Sequence, residues 1–190
     1  MEREVMLTGI GGQGVQLAAQ LLARATTLEG REVMSLGTYG GTMRGGNTEA
    51  VVVVADQGIV SPPIVSRVWS ALVVHPRFWA PVRDKLTPSS LVWVDSDRFD
   101  EPLPEKVQRV AIPASRLAAE LGAPMAASLI FVAAFAGGTG LVGCETLCDA
   151  MGQALPSYRR KHLARNLEAI RTGFSEAPAE VPAAWPGDAR

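Results

Sequence analysis

At 190 residues the chain has the length of one domain, and a chain this long buries on the order of 70% of its unfolded surface, so no metal or disulfide is needed to fold it. Hydrophobic residues make up 47% and charged residues 19%, with a net charge of −1. That balance lacks the basic surplus of a dedicated nucleic-acid binder and favours a surface partly covered by a partner.

Strand-like and helix-like runs alternate, which predicts an α/β fold: an open, mostly parallel sheet flanked by helices, Rossmann-like, with a helical C-terminal part. Met1-Glu2-Arg3-Glu4 leads straight into a first strand, Glu4 to Thr8, with no signal-peptide pattern, so a cytoplasmic protein is expected. A helix follows over Gln13 to Glu29, with Ala18, Leu21, Leu22 and Ala25 as its buried stripe and Gly30 as its stop. A second strand covers Glu32 to Leu36. Residues 37–47 hold five glycines and read as a loop. Thr48 to Ala55, with four consecutive valines, reads as a strand buried on both faces.

Further strands are expected at Trp69 to His75, Ser90 to Asp95 and Val107 to Ile112, with a short helix from Arg77 to Leu86. The chain then turns helical at Ser115 to Leu121, Met125 to Ala136, Cys144 to Leu155 and Tyr158 to Phe174. The apolar run from Ala123 to Val142 carries Pro124, Ser128 and late glycines, and is read as a buried helix rather than a membrane span. Residues 175–190, rich in Ala, Pro and acidic side chains without a period, are expected to be a flexible tail on a domain of residues 1–174.

Chemistry concentrates in two glycine loops at strand ends. Gly9-Ile10-Gly11-Gly12-Gln13-Gly14 follows a strand and opens a helix, where free backbone N–H groups suit a phosphate. Glycines 9, 11 and 14 satisfy G-x-G-x-x-G, the dinucleotide pattern. An NAD site, however, needs an acidic residue at the end of the second strand. Here Val33-Met34-Ser35-Leu36-Gly37 ends without one, and Glu32 stands at the wrong end. Gln13 could donate a hydrogen bond to a phosphate or cofactor ring.

The second loop is Thr38-Tyr39-Gly40-Gly41-Thr42-Met43-Arg44-Gly45-Gly46-Asn47. Its Arg44 suits a phosphate or carboxylate of a ligand or partner, and the flanking glycines permit close backbone approach. Cys144 and Cys148, the only two cysteines, cannot supply the four ligands of an iron–sulfur cluster and are read as reduced, partly buried thiols. His75 and His162 have no partners at metal spacing, and Arg159-Arg160-Lys161-His162 is read as a solvated or partner-facing patch. Trp69, Trp79 and Trp93 are read as core. No nucleophile or acid–base pair emerges.

Taken together, Gly9-Ile10-Gly11-Gly12-Gln13-Gly14-Val15, Ala18-Ala19, Leu22-Ala23, Tyr39-Gly40 and Arg44-Gly45-Gly46 resemble the gamma subunit of 2-oxoacid:ferredoxin oxidoreductases, also found as the gamma-type domain of pyruvate and indolepyruvate oxidoreductases. Asp56 with Ile59 and Ser61-Pro62, Asn166, and Gly173-Phe174 fit the same pattern, so the resemblance runs from about residue 4 to 174. It departs where Gly41-Thr42 replaces the usual Pro-Glu, and where Ala127 to Ala133 lacks the usual Asn and Leu-Gly.

The resemblance implies a subunit of a larger enzyme that decarboxylates a 2-oxoacid on thiamine diphosphate, passes electrons through iron–sulfur clusters to ferredoxin or another acceptor, and delivers the acyl group to coenzyme A. Thiamine diphosphate, Mg and the clusters would lie on partner subunits. This chain would contribute coenzyme A contacts and assembly, through Gly9, Gly11, Gly12, Gln13, Gly14, Tyr39, Arg44, Gly45 and Gly46. The alternatives are a purely structural interface subunit and a stand-alone NAD(P)-binding oxidoreductase.

Overall fold

The computed structural model describes residues 1–41, 45–185 and 187. Six strands form one sheet: β1 (Glu2–Ile10), β2 (Glu32–Tyr39), β3 (Asn47–Ala55), β4 (Val68–Val73), β5 (Leu86–Asp95) and β6 (Gln108–Ile112). Their order is β2-β3-β1-β4-β5-β6. The β1–β4, β4–β5 and β5–β6 pairings are parallel, whereas β3 runs antiparallel to both its neighbours, β1 and β2. The expected mostly parallel sheet is present, with β3 alone reversed. The stretch of sequence between β2 and β3 is too short for the crossover that parallel pairing would need, and the two strands pair antiparallel. Because β3 lies between β1 and β2, the two strands joined by the first helix are not neighbours, unlike those of a dinucleotide fold.

The helices are α1 (Val15–Leu28), α2 (Ala80–Arg83), α3 (Ala114–Glu120), α4 (Ala127–Thr139), α5 (Cys144–Ala154) and α6 (Leu163–Ser175). Ala18, Leu21, Leu22 and Ala25 of α1 are fully buried, as their helical spacing predicts. The valine run of β3 serves two cores. Val52 and Val54 join α1, α4 and α5 on one face, while Val51 and Val53 join Met6, Trp79, Val82 and Phe99 on the other. Apolar α4 is buried on every side because it lies within the helical layer, where Phe135 meets the Trp93 ring edge-on at 5.4 Å between centroids. Among the described residues no helix is long and apolar enough to cross a membrane.

Several boundaries differ from the sequence expectation. Strand β2 continues through Tyr39 because Gly37, Thr38 and Tyr39 still pair with Ala50, Glu49 and Thr48. The helix expected over Arg77 to Leu86 is a 3-10 turn, Pro76–Phe78, followed by the single turn of α2. Strand β5 then starts early, at Leu86, and the irregular pairing near Val68 is stitched by the Ser90 hydroxyl, which donates to the Val68 carbonyl at 2.6 Å. The helix expected from Tyr158 to Phe174 begins as a 3-10 segment, Ser157–His162, before α6.

Within the segment expected as a tail, residues 181–185 pack against the domain. Val181, Ala184 and Trp185 are buried. Ala184 N–H donates to the Thr139 carbonyl at 2.7 Å and Trp185 Nε1 donates to the Leu141 carbonyl at 3.3 Å. The Arg31 guanidinium stacks 4.2 Å from the Trp185 ring. An unperiodic segment can dock without being helix or strand when one large aromatic anchors it.

Candidate functional site

The first glycine turn leads β1 into α1. Gly12 and Gly14 have φ of +102° and +81°, the left-handed region that a side chain disfavours. Gly14 caps α1 without a side-chain hydrogen bond. The first helical bond runs from Ala18 N–H to the Gly14 carbonyl, so the N–H groups of the first turn have no acceptor within the helix. An uncapped helix start of this kind carries partial positive charge and favours an anion.

The second glycine loop is bonded directly to the first. Gly11 N–H donates to the Gly46 carbonyl at 2.8 Å, and Gly45 N–H donates to the Gly11 carbonyl at 3.1 Å. These bonds extend the β1–β3 register beyond its last pair, Ile10 with Asn47. The hairpin of β2 and β3 is braced against α1 by Gln16, whose Nε2 donates to the Glu49 carbonyl at 2.7 Å and to Thr48 Oγ1 at 3.2 Å.

A cleft of about 1050 Å³ opens at this rim. Gly11, Gly12, Gly14, Gln16, Tyr39 and Thr48 line one side. Met125, Ala126, Leu129 and Leu155 supply an apolar floor, and Arg159, His162, Arg165 and Asn166 supply a polar side. Among the described residues no carboxylate lines it.

Of the residues expected at the site, Gly11, Gly12, Gly14 and Tyr39 line the cleft. Gly9, Gln13, Gly45 and Gly46 are not among its lining residues. A Cβ on Gly9 would sit 2.9 Å from Val15 Cγ2, so that glycine serves close packing. Gln13 turns inward, its Oε1 accepting from Ile10 N–H at 2.9 Å, and stiffens the turn that bears the free N–H groups. Gly45 and Gly46 hold the two loops together. Arg44 lies outside the described residues.

The sequence reading missed Gln16, Thr48, the apolar floor and the polar side. Arg159 and His162, expected in a solvated or partner-facing patch, both line the cleft. Their spacing was the available signal. Residues three apart eclipse in a 3-10 helix and share a face as α6 begins, so Arg159, His162 and Arg165 fall together while Arg160 and Lys161 point elsewhere. All three are exposed, and among the described residues none is ion-paired with a carboxylate. The Arg159 guanidinium rests 5.5 Å from the Tyr158 ring centroid.

The start of α4 packs against this turn. Ser128 is buried with no hydrogen-bond partner for its hydroxyl, and its Oγ lies 2.6 Å from where a Cβ on Gly14 would be. Elsewhere, His75 Nδ1 accepts from Arg77 N–H at 3.1 Å and caps the Pro76 turn, a structural duty. Burial pushes the Cys148 thiol up to about 11, with Cys144 beside it adding to the rise. Among the described residues no group of three or more His, Cys, Asp or Glu side chains is placed to hold a metal.

A reversed strand pinned to a glycine-turned helix start, with a cleft opening beside it, defines an α/β protein whose candidate site lies at that rim. Residues 4–176 match the model of the pyruvate ferredoxin/flavodoxin oxidoreductase family, and the chain belongs to that family. It is 29% identical over 182 residues to the 2-oxoglutarate synthase subunit KorC of Methanocaldococcus jannaschii, covering 93% of this chain and 95% of that one.

Its fold is shared with the keto/oxoacid ferredoxin oxidoreductase gamma subunit of Geobacter sulfurreducens, at a TM-score of 0.77 and 23% identity over 92% of this chain and 98% of that one. It is shared too with the 2-oxoglutarate:ferredoxin oxidoreductase of Magnetococcus marinus, whose structure holds 2-oxoglutarate, coenzyme A and succinyl-CoA. There the TM-score is 0.84 at 21% identity, covering 96% of this chain and 32% of that one.

Proposed function

We propose that this chain is the gamma-type subunit of a multi-subunit 2-oxoacid:ferredoxin oxidoreductase and that its cleft contacts coenzyme A. The complex converts a 2-oxoacid to acyl-CoA and CO2, with thiamine diphosphate, Mg and the clusters on partner subunits and ferredoxin or another acceptor taking the electrons. The observation that carries the coenzyme A contact is the joined rim, Gly11 N–H on the Gly46 carbonyl, which faces an uncapped helix start onto a cleft with cations and no described carboxylate. Coenzyme A brings phosphates for the helix start and an adenine for the apolar floor. Arg44 joins this reading on its place in the glycine loop of the sequence.

The subunit role is supported by β2, an edge strand on which Met34 and Leu36 are 42% and 38% exposed. An apolar edge left open is an aggregation hazard unless a partner covers it. The same edge favours the second reading, an interface subunit with no ligand. The NAD reading is weakened because Glu32 pairs with Ala55, at the end of the sheet away from the glycine turn.

The test is affinity purification of the chain from its native cell, followed by coenzyme A protection of backbone amides. Co-purifying thiamine- and cluster-binding subunits, with slowed exchange over residues 11–17, is the expected result. A chain that purifies alone overturns the subunit reading. A complex whose glycine turn gains no protection from coenzyme A leaves the interface reading.

A further inference from the structure

We infer that Arg159, His162 and Arg165 form a phosphomonoester-reading face, and that they take the 3′-phosphate of coenzyme A while the glycine turn takes its pyrophosphate. The assignment rests on the coenzyme A reading of the cleft and deepens it, by giving the two kinds of phosphate different seats.

The argument begins with charge. Side chains at 159, 162 and 165 stack along one face where the 3-10 segment Ser157–His162 runs into α6. Two permanent guanidinium charges and an imidazole thus gather on one side of the cleft, and among the described residues no carboxylate lines it to offset them. Elsewhere on the helices Arg116 pairs with Glu120 and Arg171 with Glu145. A concentration of unpaired cations in a concavity raises the local concentration of anions.

The two seats differ in strength, and so do the two phosphates. A phosphomonoester has a second pKa of about 6 and carries close to two charges at neutral pH. Full charges in fork geometry match it. Each phosphorus of the pyrophosphate diester carries one charge, for which the partial charge of about +0.5 at an uncapped helix start is the better match. The same cleft is lined by Met125, Ala126, Leu129 and Leu155, an apolar surface suited to the face of the adenine borne by the ribose that joins the two phosphates.

The experiment measures equilibrium dissociation constants of the purified complex for coenzyme A and for 3′-dephospho-coenzyme A, with Arg159→Gln, His162→Gln, Arg165→Gln and Arg165→Lys variants. The unsubstituted complex is expected to hold coenzyme A about ten- to hundredfold more tightly, as charge-assisted hydrogen bonds allow. Arg165→Gln and Arg159→Gln are expected to erase most of that ratio by weakening coenzyme A alone, and Arg165→Lys to keep part of it.

Equal affinity of the unsubstituted complex for both compounds overturns the assignment. So does equal weakening of both in the variants, which would place the pyrophosphate on this face. Loss of partner subunits from the variants with an unchanged ratio would make it a docking surface for an acidic protein. If neither compound binds the unsubstituted complex, it is the coenzyme A reading itself that falls.

Discussion

The Gly173 backbone lies directly against the Ile130 carbonyl: a Cβ at Gly173 would be 2.2 Å from that oxygen. This contact sets the separation of α4 and α6, since no flexible side chain is available to move aside. It also sets the cleft, because α4 begins at the glycine turn and α6 carries Arg165. Gly173→Ala would gain up to ~1 kcal/mol of helix propensity but incur about 1–3 kcal/mol or more of overpacking against backbone. A net loss of stability is expected in urea titration, together with weaker coenzyme A binding as α6 is displaced. A variant as stable as the parent would mean the helices are free to separate.

Gly14 and Ser128 form a second coupled pair. Alanine at Gly14 incurs left-handed strain of roughly 1–2 kcal/mol and collides with Ser128 Oγ, whereas alanine at Gly12 incurs the strain in open space. Gly14→Ala is therefore expected to destabilise more than Gly12→Ala. Ser128→Ala removes the colliding oxygen, leaving the Ser128 Cβ at 3.7 Å. That single change should be neutral or stabilising, since the hydroxyl is buried without a partner. The double variant should recover the excess loss, a coupling of about 1 kcal/mol that a double-mutant cycle reads directly. Additive effects would show that the two residues do not touch.

Much of the fold could be read from period and punctuation. The stripe of α1 and the valine run of β3 repeat strongly enough to place both elements. The two glycine loops stand out in the sequence, but not the fact that they bond to each other, because the reversal of β3 depends on pairing between distant strands. Gly37 looked like the start of a loop and is a strand residue across which Gln16 lies; the Gln16 Oε1 is 2.0 Å from where its Cβ would be. The polar side of the cleft was hidden because exposed cations in sequence resemble any solvated patch. Pro81, with no N–H to donate to the Arg77 carbonyl, interrupts the helix expected from Arg77 to Leu86.

Trp185 tests the docked C-terminal segment. It is 6% exposed in a run without regular structure, held by the Leu141 carbonyl and by Arg31. Truncating a buried tryptophan to alanine costs about 3–5 kcal/mol, so Trp185→Ala should lower the urea midpoint clearly and speed proteolysis after residue 175. If residues 175–190 were the loose tail that their composition implies, the variant would unfold with the parent.

His75 gives the fold a pH dependence of definite sign. Burial, then the neighbouring Arg98 and Arg77, push its imidazole below the usual value of 6.5, with Asp95 opposing. The neutral ring is the form that accepts from Arg77 N–H. The unfolded chain takes up this proton at a higher pH than the folded chain, so acidification favours unfolding. The contribution is fully present above pH 6.5, is lost as pH falls through the window between 6.5 and the lowered folded value, and changes no further below it. His75→Asn keeps a cap acceptor and removes the titration. Thermal midpoints measured from pH 7.5 to 5 should fall more steeply for the parent than for the variant, and parallel curves would show that His75 titrates alike in both states.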